Sequence, residues 1–411
     1  MGRGEINDRR RGFARKRGVV PASGFPMKTA LPQFLTLYGA MFAAFGVASP
    51  FFGAFLGGRG LAPEAIGLVL AAGTGVRLVA GPVGGRVADR LGAPRLVLVG
   101  YLAAAACVAF GYVAAEGLWM LLLVGIVHAS TLAPLTPIAD ALALDAASAG
   151  RRFEYGWLRG AGSLAFILGT LLSGQAVARF GLVAIIWLNG TLLSVAAWCA
   201  WWVPDGLRAS VVRDRAGGVG SLLRIRSFRR LMMVAALIQG SHAMHDGFVV
   251  LHWRSLGIGD GVIGVLWSES VASEVVVFVF IGRWLLDRLG PAWASVLAAA
   301  GGVVRWAVLA ETTSAGASAL AEPLHGLTFA LQHLACMRLI RAVVPAELAA
   351  TAQAFYGTVA VGAASALLTL GSGPVYAQFG AGGFWVMAGL CVMAVPVAWG
   401  LRGVERLGLG A

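Results

Sequence analysis

Apolar residues come in long runs, and the polar residues are gathered into short stretches between them. Runs long enough to cross a bilayer lie near 31–57, 65–85, 95–114, 118–142, 157–178 and 182–203. After an Arg-rich stretch at 205–230, six more follow near 231–253, 262–283, 291–310, 316–340, 351–373 and 382–401. A helix needs about 20 apolar residues to cross the hydrocarbon core. The period-two alternation of a barrel strand is absent, and backbone polar groups in lipid must be satisfied within the segment, so each run is read as a helix. The pattern predicts an all-α membrane protein of twelve transmembrane helices, numbered here 1 to 12 in chain order. It divides the chain into a basic tail (1–30), a six-helix bundle (31–204), a central loop (205–230), a second six-helix bundle (231–402) and a short tail (403–411).

Composition excludes other classes. Charged residues make up 12% and hydrophobic ones 58%, whereas a soluble protein is roughly 25% charged. The net charge of +13 sits in short loops, which argues against a nucleic-acid partner and fixes an orientation. With the N-terminus inside, the inner segments hold 25 basic residues and the outer loops three (Arg59, Arg179, Arg254). Basic residues favour the cytoplasmic side, so both termini are expected there. The four cysteines (Cys107, Cys199, Cys336, Cys391) fall inside apolar runs and form no CxxC pair, as packing residues do. No HExxH, GxSxG or GxxxxGK[ST] motif occurs, so no enzyme, metal or nucleotide-driven pump is indicated.

The two bundles echo each other. Gly60-Leu61 with Ile66-Gly67 matches Gly257-Ile258 with Ile263-Gly264 at an offset of 197 residues. Gly84 through Asp89-Arg90-Leu91-Gly92 matches Gly282 through Asp287-Arg288-Leu289-Gly290 at an offset of 198. Each pair brackets the second helix of its half. This duplication predicts two pseudo-symmetric halves with a site between them, an architecture of transporters. The stretch Gly84-x4-Asp89-Arg90-x-Gly92 resembles the signature loop of the major facilitator superfamily. The glycines would let helix ends approach closely, while each aspartate would cap a helix or pair with an arginine across the halves as a latch. Gly84, Asp89, Arg90, Gly92, Gly282, Asp287, Arg288 and Gly290 are therefore the gating candidates.

Ionisable groups inside spans mark paths or sites, because lipid does not tolerate them unpaired. Helix 4 ends with Asp140, and helix 5 opens Glu154-Tyr155-Gly156-Trp157-Leu158-Arg159. This resembles lactose permease, and the resemblance implies substrate contact by Asp140 and Arg159. Phe166 stands where that family stacks a sugar on tryptophan, which turns the expectation toward an aromatic or apolar substrate. Arg305 and His325, 20 residues apart, match the same family's proton-coupling pair in spacing. Thr328 replaces its proton-carrying glutamate, and Glu274 in helix 8 is the expected substitute, with Glu269 second. His333 and Arg338 would extend the polar path. Arg77 is a candidate for binding an anion, and His242 for touching substrate. His242-x-x-His245-Asp246 places two imidazoles and a carboxylate on one helical face, yet no third metal ligand has a matching spacing.

A fuller resemblance is to the phenylpropionate permease group of the same superfamily. It rests on Leu135-Thr136-Pro137-Ile138-Ala139-Asp140, Gln239-Gly240-Ser241-His242, Ser273-Glu274-Val275-Val276, Gly302-Val303-Val304-Arg305-Trp306, Leu324-His325-Gly326-Leu327-Thr328-Phe329 and His333-Leu334-Ala335-Cys336-Met337-Arg338. The resemblance implies proton-coupled import of an aromatic carboxylate such as 3-phenylpropionate. It also implies a bacterial inner-membrane location, a monomer in the lipid bilayer, and no cofactor beyond the proton gradient. Two departures stand out: the group's Arg-x-Trp-Gly-Ser is here Arg159-Gly160-Ala161-Gly162-Ser163, and Asp246 stands where the group carries tyrosine. A sugar or nucleoside symporter and a drug-efflux antiporter remain alternatives on the same scaffold.

Overall fold

The computed structural model describes residues 30–148, 153–205 and 219–402. The expected tails apart from Ala30, the loop residues 149–152 with Arg151 and Arg152, and positions 206–218 of the central loop lie outside the described residues. Eight helical stretches are long and apolar enough to cross a membrane, and two of these span 52 and 54 residues. A crossing needs only about 20 residues, and each long stretch is divided by a glycine with positive φ, Gly290 (φ 73°) and Gly380 (φ 53°). Dividing them, and adding the interrupted helices within 226–255 and 315–343, groups the described residues into twelve helical segments.

The first half runs Ala30–Ala48 with Phe52–Gly58 (helix 1), Pro63–Leu91 (helix 2) and Pro94–Ala114 (helix 3). It continues with Gly117–Leu132 and Leu135–Ser148 (helix 4), Tyr155–Phe180 (helix 5) and Ala184–Trp201 (helix 6). The second half opens with the short helix Val219–Arg224 and then Arg226–Gly240 with Ala243–Ser255 (helix 7). Helix 8 is Asp260–Val276 continued through a π turn at Val277–Ile281 to the break at Gly290, and helix 9 follows to Glu311. Helix 10 comprises Ala315–Ala321, a 3₁₀ turn at Glu322–Leu324, a π turn at Gly326–Leu331, and Gln332–Val343. Helix 11 is Ala349–Phe355, a π turn at Tyr356–Ala363 and Ala364–Phe379, and helix 12 is Phe384–Trp399.

Helices 2 and 8 are longer than the apolar pattern indicated, because each continues through its signature stretch. Gly92 (φ 59°) ends helix 2 in the left-handed conformation that glycine adopts without strain. Asp89 therefore lies in the last turn of helix 2, and no side chain caps helix 3 at Ala93. The helix-capping role expected of the signature aspartate is not what the chain uses. Helices 1, 4 and 7 are interrupted near Pro50, Pro134 and Ser241-His242. At the first two, proline withholds a backbone donor.

The packing differs at the two ends of the bundle. The end bearing Gly60 and Gly257, which the basic-residue bias assigns to the outside, is called the outer end. There, one hydrophobic core joins both halves: Phe51, Phe55, Ile66 and Tyr112 pack with Phe248, Trp253, Ile263 and Trp306. At the inner end each half has its own core. One contains Phe34, Tyr38, Leu98, Leu135 and Leu193, and the other Phe228, Leu231, Ile238, Ala298 and Leu339. Apolar residues such as Leu123, Leu168, Phe280 and Leu367 are exposed on the bundle surface, which suits contact with lipid tails.

Glycine makes the outer closure possible. A Cβ on Gly67 would lie 3.0 Å from the Cα of Gly373, and one on Gly264 would lie 3.1 Å from the Cα of Gly174. Helices 2 and 11, and helices 5 and 8, thus touch backbone to backbone across the halves.

Candidate functional site

A cavity of about 660 Å³ lies between the halves. Helices 1 to 6 supply one wall, with Phe45, Phe52, Arg77, Tyr112, His128, Phe166 and Asn189 among its residues. Helices 7 and 11 supply the other, with Ala243, Asp246, Gly247, Ser365 and Thr369. The walls are mostly aromatic or small, and Arg77 and Asp246 are the two charged residues among those lining the cavity.

Arg77 is exposed to this space. Among the described residues no carboxylate lies within ion-pairing distance of it. His128, on the neighbouring helix 4, is buried, packs edge-on to Tyr112 with ring centroids 5.5 Å apart, and leaves its Nε2 without a hydrogen-bond partner. An unpaired guanidinium and an unsatisfied imidazole nitrogen in one cavity form a natural receptor for a carboxylate.

Two of the expected substrate contacts lie elsewhere. Asp140 and Arg159 do not line the cavity. Asp140 accepts a hydrogen bond from the Tyr38 hydroxyl at 2.5 Å and faces Arg159 at 3.7 Å. The Arg159 guanidinium also sits over the Phe42 ring, 5.3 Å from its centroid. Tyr38 and Phe42 belong to helix 1, so the pair clamps helices 4 and 5 to helix 1 toward the inner end. Arg159 and Phe166 share a face of helix 5, but seven residues are about 10 Å along the axis. Phe166 reaches the cavity, while Arg159 sits below it. Gly162 belongs to the same clamp, since a Cβ there would meet Phe42 at 3.1 Å.

His242 is also displaced from the expected site. It is the N-cap of Ala243–Ser255, directly after the interruption of helix 7. Its Nδ1 lies 3.0 Å from the Gln239 carbonyl and its Nε2 2.9 Å from the Thr328 hydroxyl. An Nδ1–H donating to the carbonyl leaves Nε2 to accept from Thr328. His242 is buried against His325 and Trp306 and has no access to the cavity.

The second half brings together the groups expected to move protons. Arg305 donates from Nη1 to His325 Nδ1 at 2.7 Å, and His325 Nε2 is 2.6 Å from Glu274. The spacing of 20 residues thus corresponds to direct contact. The structure adds two members, Glu322 and His245. Glu322 pairs with Arg305 Nη2 at 2.6 Å, both side chains being fully buried. His245 Nε2 lies 3.3 Å from Glu322 Oε1 and 3.1 Å from Arg305 Nη2, while its Nδ1 is 3.2 Å from Asp246. Glu322 stands three residues before His325, a same-face spacing that was available as a signal. Glu269, half-buried, makes no hydrogen bond or ion pair among the described residues and lies off the cavity. His333 is 3.3 Å from the Tyr356 hydroxyl, which accepts from Gln239 at 2.8 Å.

The gating candidates occupy matched positions. A Cβ on Gly84 would run into Pro134 of helix 4, and one on Gly282 would run into Leu334 of helix 10. The expected pairing across the halves is not what the structure holds. Asp287 pairs with Arg338 at 2.6 Å and with Arg283 at 3.8 Å, all within the second half. Asp89 and Arg90 are exposed, with no ion pair among the described residues, and Arg288 stacks over Trp284 at 4.5 Å. With separate cores at the inner end, the signature stretches of the two halves stand apart.

Comparison with known proteins agrees with this architecture. A family model described as the MFS_1 like family matches residues 33–387. A probable 3-phenylpropionic acid transporter of Escherichia coli (strain K12) is 33% identical over 370 residues, covering 87% of this chain and 94% of that protein. The nucleoside transporter NupG superposes with a TM-score of 0.76 at 16% identity, over 93% of this chain and all of NupG. A bacterial homologue of the human lysosomal transporter Spinster, solved inward-facing and occupied, gives 0.72 at 14% identity over 94% of this chain and 98% of its own. The chain belongs to the MFS_1 like family of major facilitator transporters.

Proposed function

We propose that this transporter imports an aromatic carboxylate across the bacterial inner membrane together with protons, by alternating access. The observation that carries the reading is the unpaired Arg77, exposed beside the unsatisfied His128 in an aromatic-lined cavity. An arginine fork binds a carboxylate through two parallel hydrogen bonds. Phe45, Phe52 and Phe166 would supply ring contacts. The kinship with the probable 3-phenylpropionic acid transporter supports that substrate class.

The buried polar cluster supports proton coupling. His245 Nε2 stands between a donor, Arg305, and an acceptor, Glu322. A neutral ring with its proton on Nδ1 accepts from Arg305, whereas a doubly protonated ring donates to Glu322. The proton thus changes which partner holds the helix. Glu274 and His325 form a second exchange point on the same arginine. Alternating access would then be the rocking of one half against the other around the cavity, with the outer glycine contacts and the inner signature stretches engaging in turn.

The test is proton movement in right-side-out vesicles containing the protein, on a pulse of 3-phenylpropionate with a protonophore control. External alkalinisation that is lost in Arg77→Ala is the expected result. Acid binding with no proton movement would remove the coupling. An absence of response to any aromatic acid, with the protein folded, would overturn the substrate class.

A further inference from the structure

Asp246 is the one acidic residue among those lining the cavity, and it faces the substrate space from the half opposite Arg77 and His128. Its side chain is 62% accessible, and its partner is the Nδ1 of the buried His245 at 3.2 Å, bonded to Oδ1. Oδ1 can accept again and Oδ2 has no hydrogen bond of its own, so the carboxylate presents open acceptor sites to whatever fills the cavity. A plain aromatic monocarboxylate anchored at Arg77 would satisfy the cationic wall and then press a hydrocarbon ring toward this carboxylate. That strips water from a charge and returns no hydrogen bond, which is costly. The surrounding wall on the second half offers no cation in compensation: Ala243, Gly247, Ser365 and Thr369 are small and neutral.

We infer that the substrate is bipolar: an aromatic acid whose end remote from the carboxylate carries a hydrogen-bond donor, a hydroxyl or an ammonium, and that Asp246 selects it. This rests on the carboxylate reading above and narrows it. Asp246 on helix 7 and Arg77 on helix 2 belong to opposite halves, so a bipolar ligand bridges the two halves, whereas a monopolar one is held by the first half alone. Asp246 also reports occupancy inward, because its other contact is the histidine that stands between Arg305 and Glu322.

The experiment measures equilibrium binding to the purified full chain in nanodiscs. The probes are 3-phenylpropionate, 3-(4-hydroxyphenyl)propionate and 3-[4-(aminomethyl)phenyl]propionate. Hydrogen bonds to a charged acceptor predict that wild-type protein binds at least one donor-bearing acid roughly tenfold or more tightly than 3-phenylpropionate. Asp246→Leu should bring that ratio close to one while 3-phenylpropionate binds as well as before or better. If Asp246→Leu does not fold, Asp246→Asn, which keeps a neutral acceptor, should lose the preference for the ammonium probe. A wild-type ratio near one, with binding still dependent on Arg77, overturns the selection by Asp246 and leaves the carboxylate reading standing. A preference that survives both substitutions places the selecting group elsewhere and also overturns it. Failure of all three acids to bind folded protein removes the carboxylate reading and this inference with it.

Discussion

The two halves repeat each other in sequence but handle charge in opposite ways. In the first half, Arg77 stands open in the cavity and the Nε2 of His128 has no hydrogen-bond partner among the described residues, while Asp140 and Arg159 are spent on clamping helices 4 and 5 to helix 1. In the second, Glu274, His325, Arg305, Glu322 and His245 are joined by contacts of 2.6–3.3 Å and withdrawn from solvent, with Asp246 alone reaching the cavity. On the proposed reading, the first half supplies the group that anchors the ligand's carboxylate, and the second supplies the groups that rearrange around a proton. An unpaired group costs stability and offers affinity, whereas a satisfied network costs little until one member is removed.

The largest test of that contrast is stability. Arg305→Ala breaks the fully buried pair with Glu322 and leaves that carboxylate with His245 alone, which should cost about 3–5 kcal/mol. Arg77→Ala removes no ion pair and should stay within about 0.5 kcal/mol. Thermal unfolding of the two variants in detergent checks the difference, and equal losses would refute the division between halves. Next in size is Gly67→Trp, where the ring has no room beside Gly373. The outer end should fail to close, transport should stop, and external ligand should still bind. Normal uptake by this variant would show that the close contact of Gly67 with Gly373 is not needed for transport.

A more selective effect is expected of Glu274→Gln. Accumulation driven by a pH gradient should vanish while exchange of labelled for unlabelled substrate at equal pH persists. Unchanged accumulation would take Glu274 out of the coupling. The smallest effect belongs to Asp287→Asn. Its contacts with Arg338 and Arg283 are exposed, and pairs of that kind contribute about 0–1 kcal/mol. Transport should slow while ligand affinity stays within a few-fold, and abolished binding would contradict a gating role.

Much of this was legible in the chain. The runs of apolar residues located the helical passes, and the repeated Gly84 and Gly282 stretches marked two helices that approach a neighbour too closely for a side chain. The matched spacing of Arg305 and His325 singled out two residues that helices 9 and 10 hold in contact. Depth was not legible: Arg159 and Phe166 share a helix face, and nothing in their spacing tells at which level the cavity opens. Nor did regular periodicity survive the local breaks. His242 and His245 are three apart, yet the turn at Ser241-His242 sends them to different partners. Glu322 was visible as an ionisable residue in a span, but its pairing with Arg305 required the packing of helix 10 on helix 9.

Among the described residues, the π turns fall in helices 8, 10 and 11, all in the second half. A π turn holds one more residue than an α turn and leaves the hydrogen-bond ladder locally mismatched. Such a helix can shed or shift its extra residue and so change azimuth along part of its length without breaking in two. The halves therefore need not rock as mirror images. In the proposed cycle the second half would add flexure at these turns to the rocking of one half against the other.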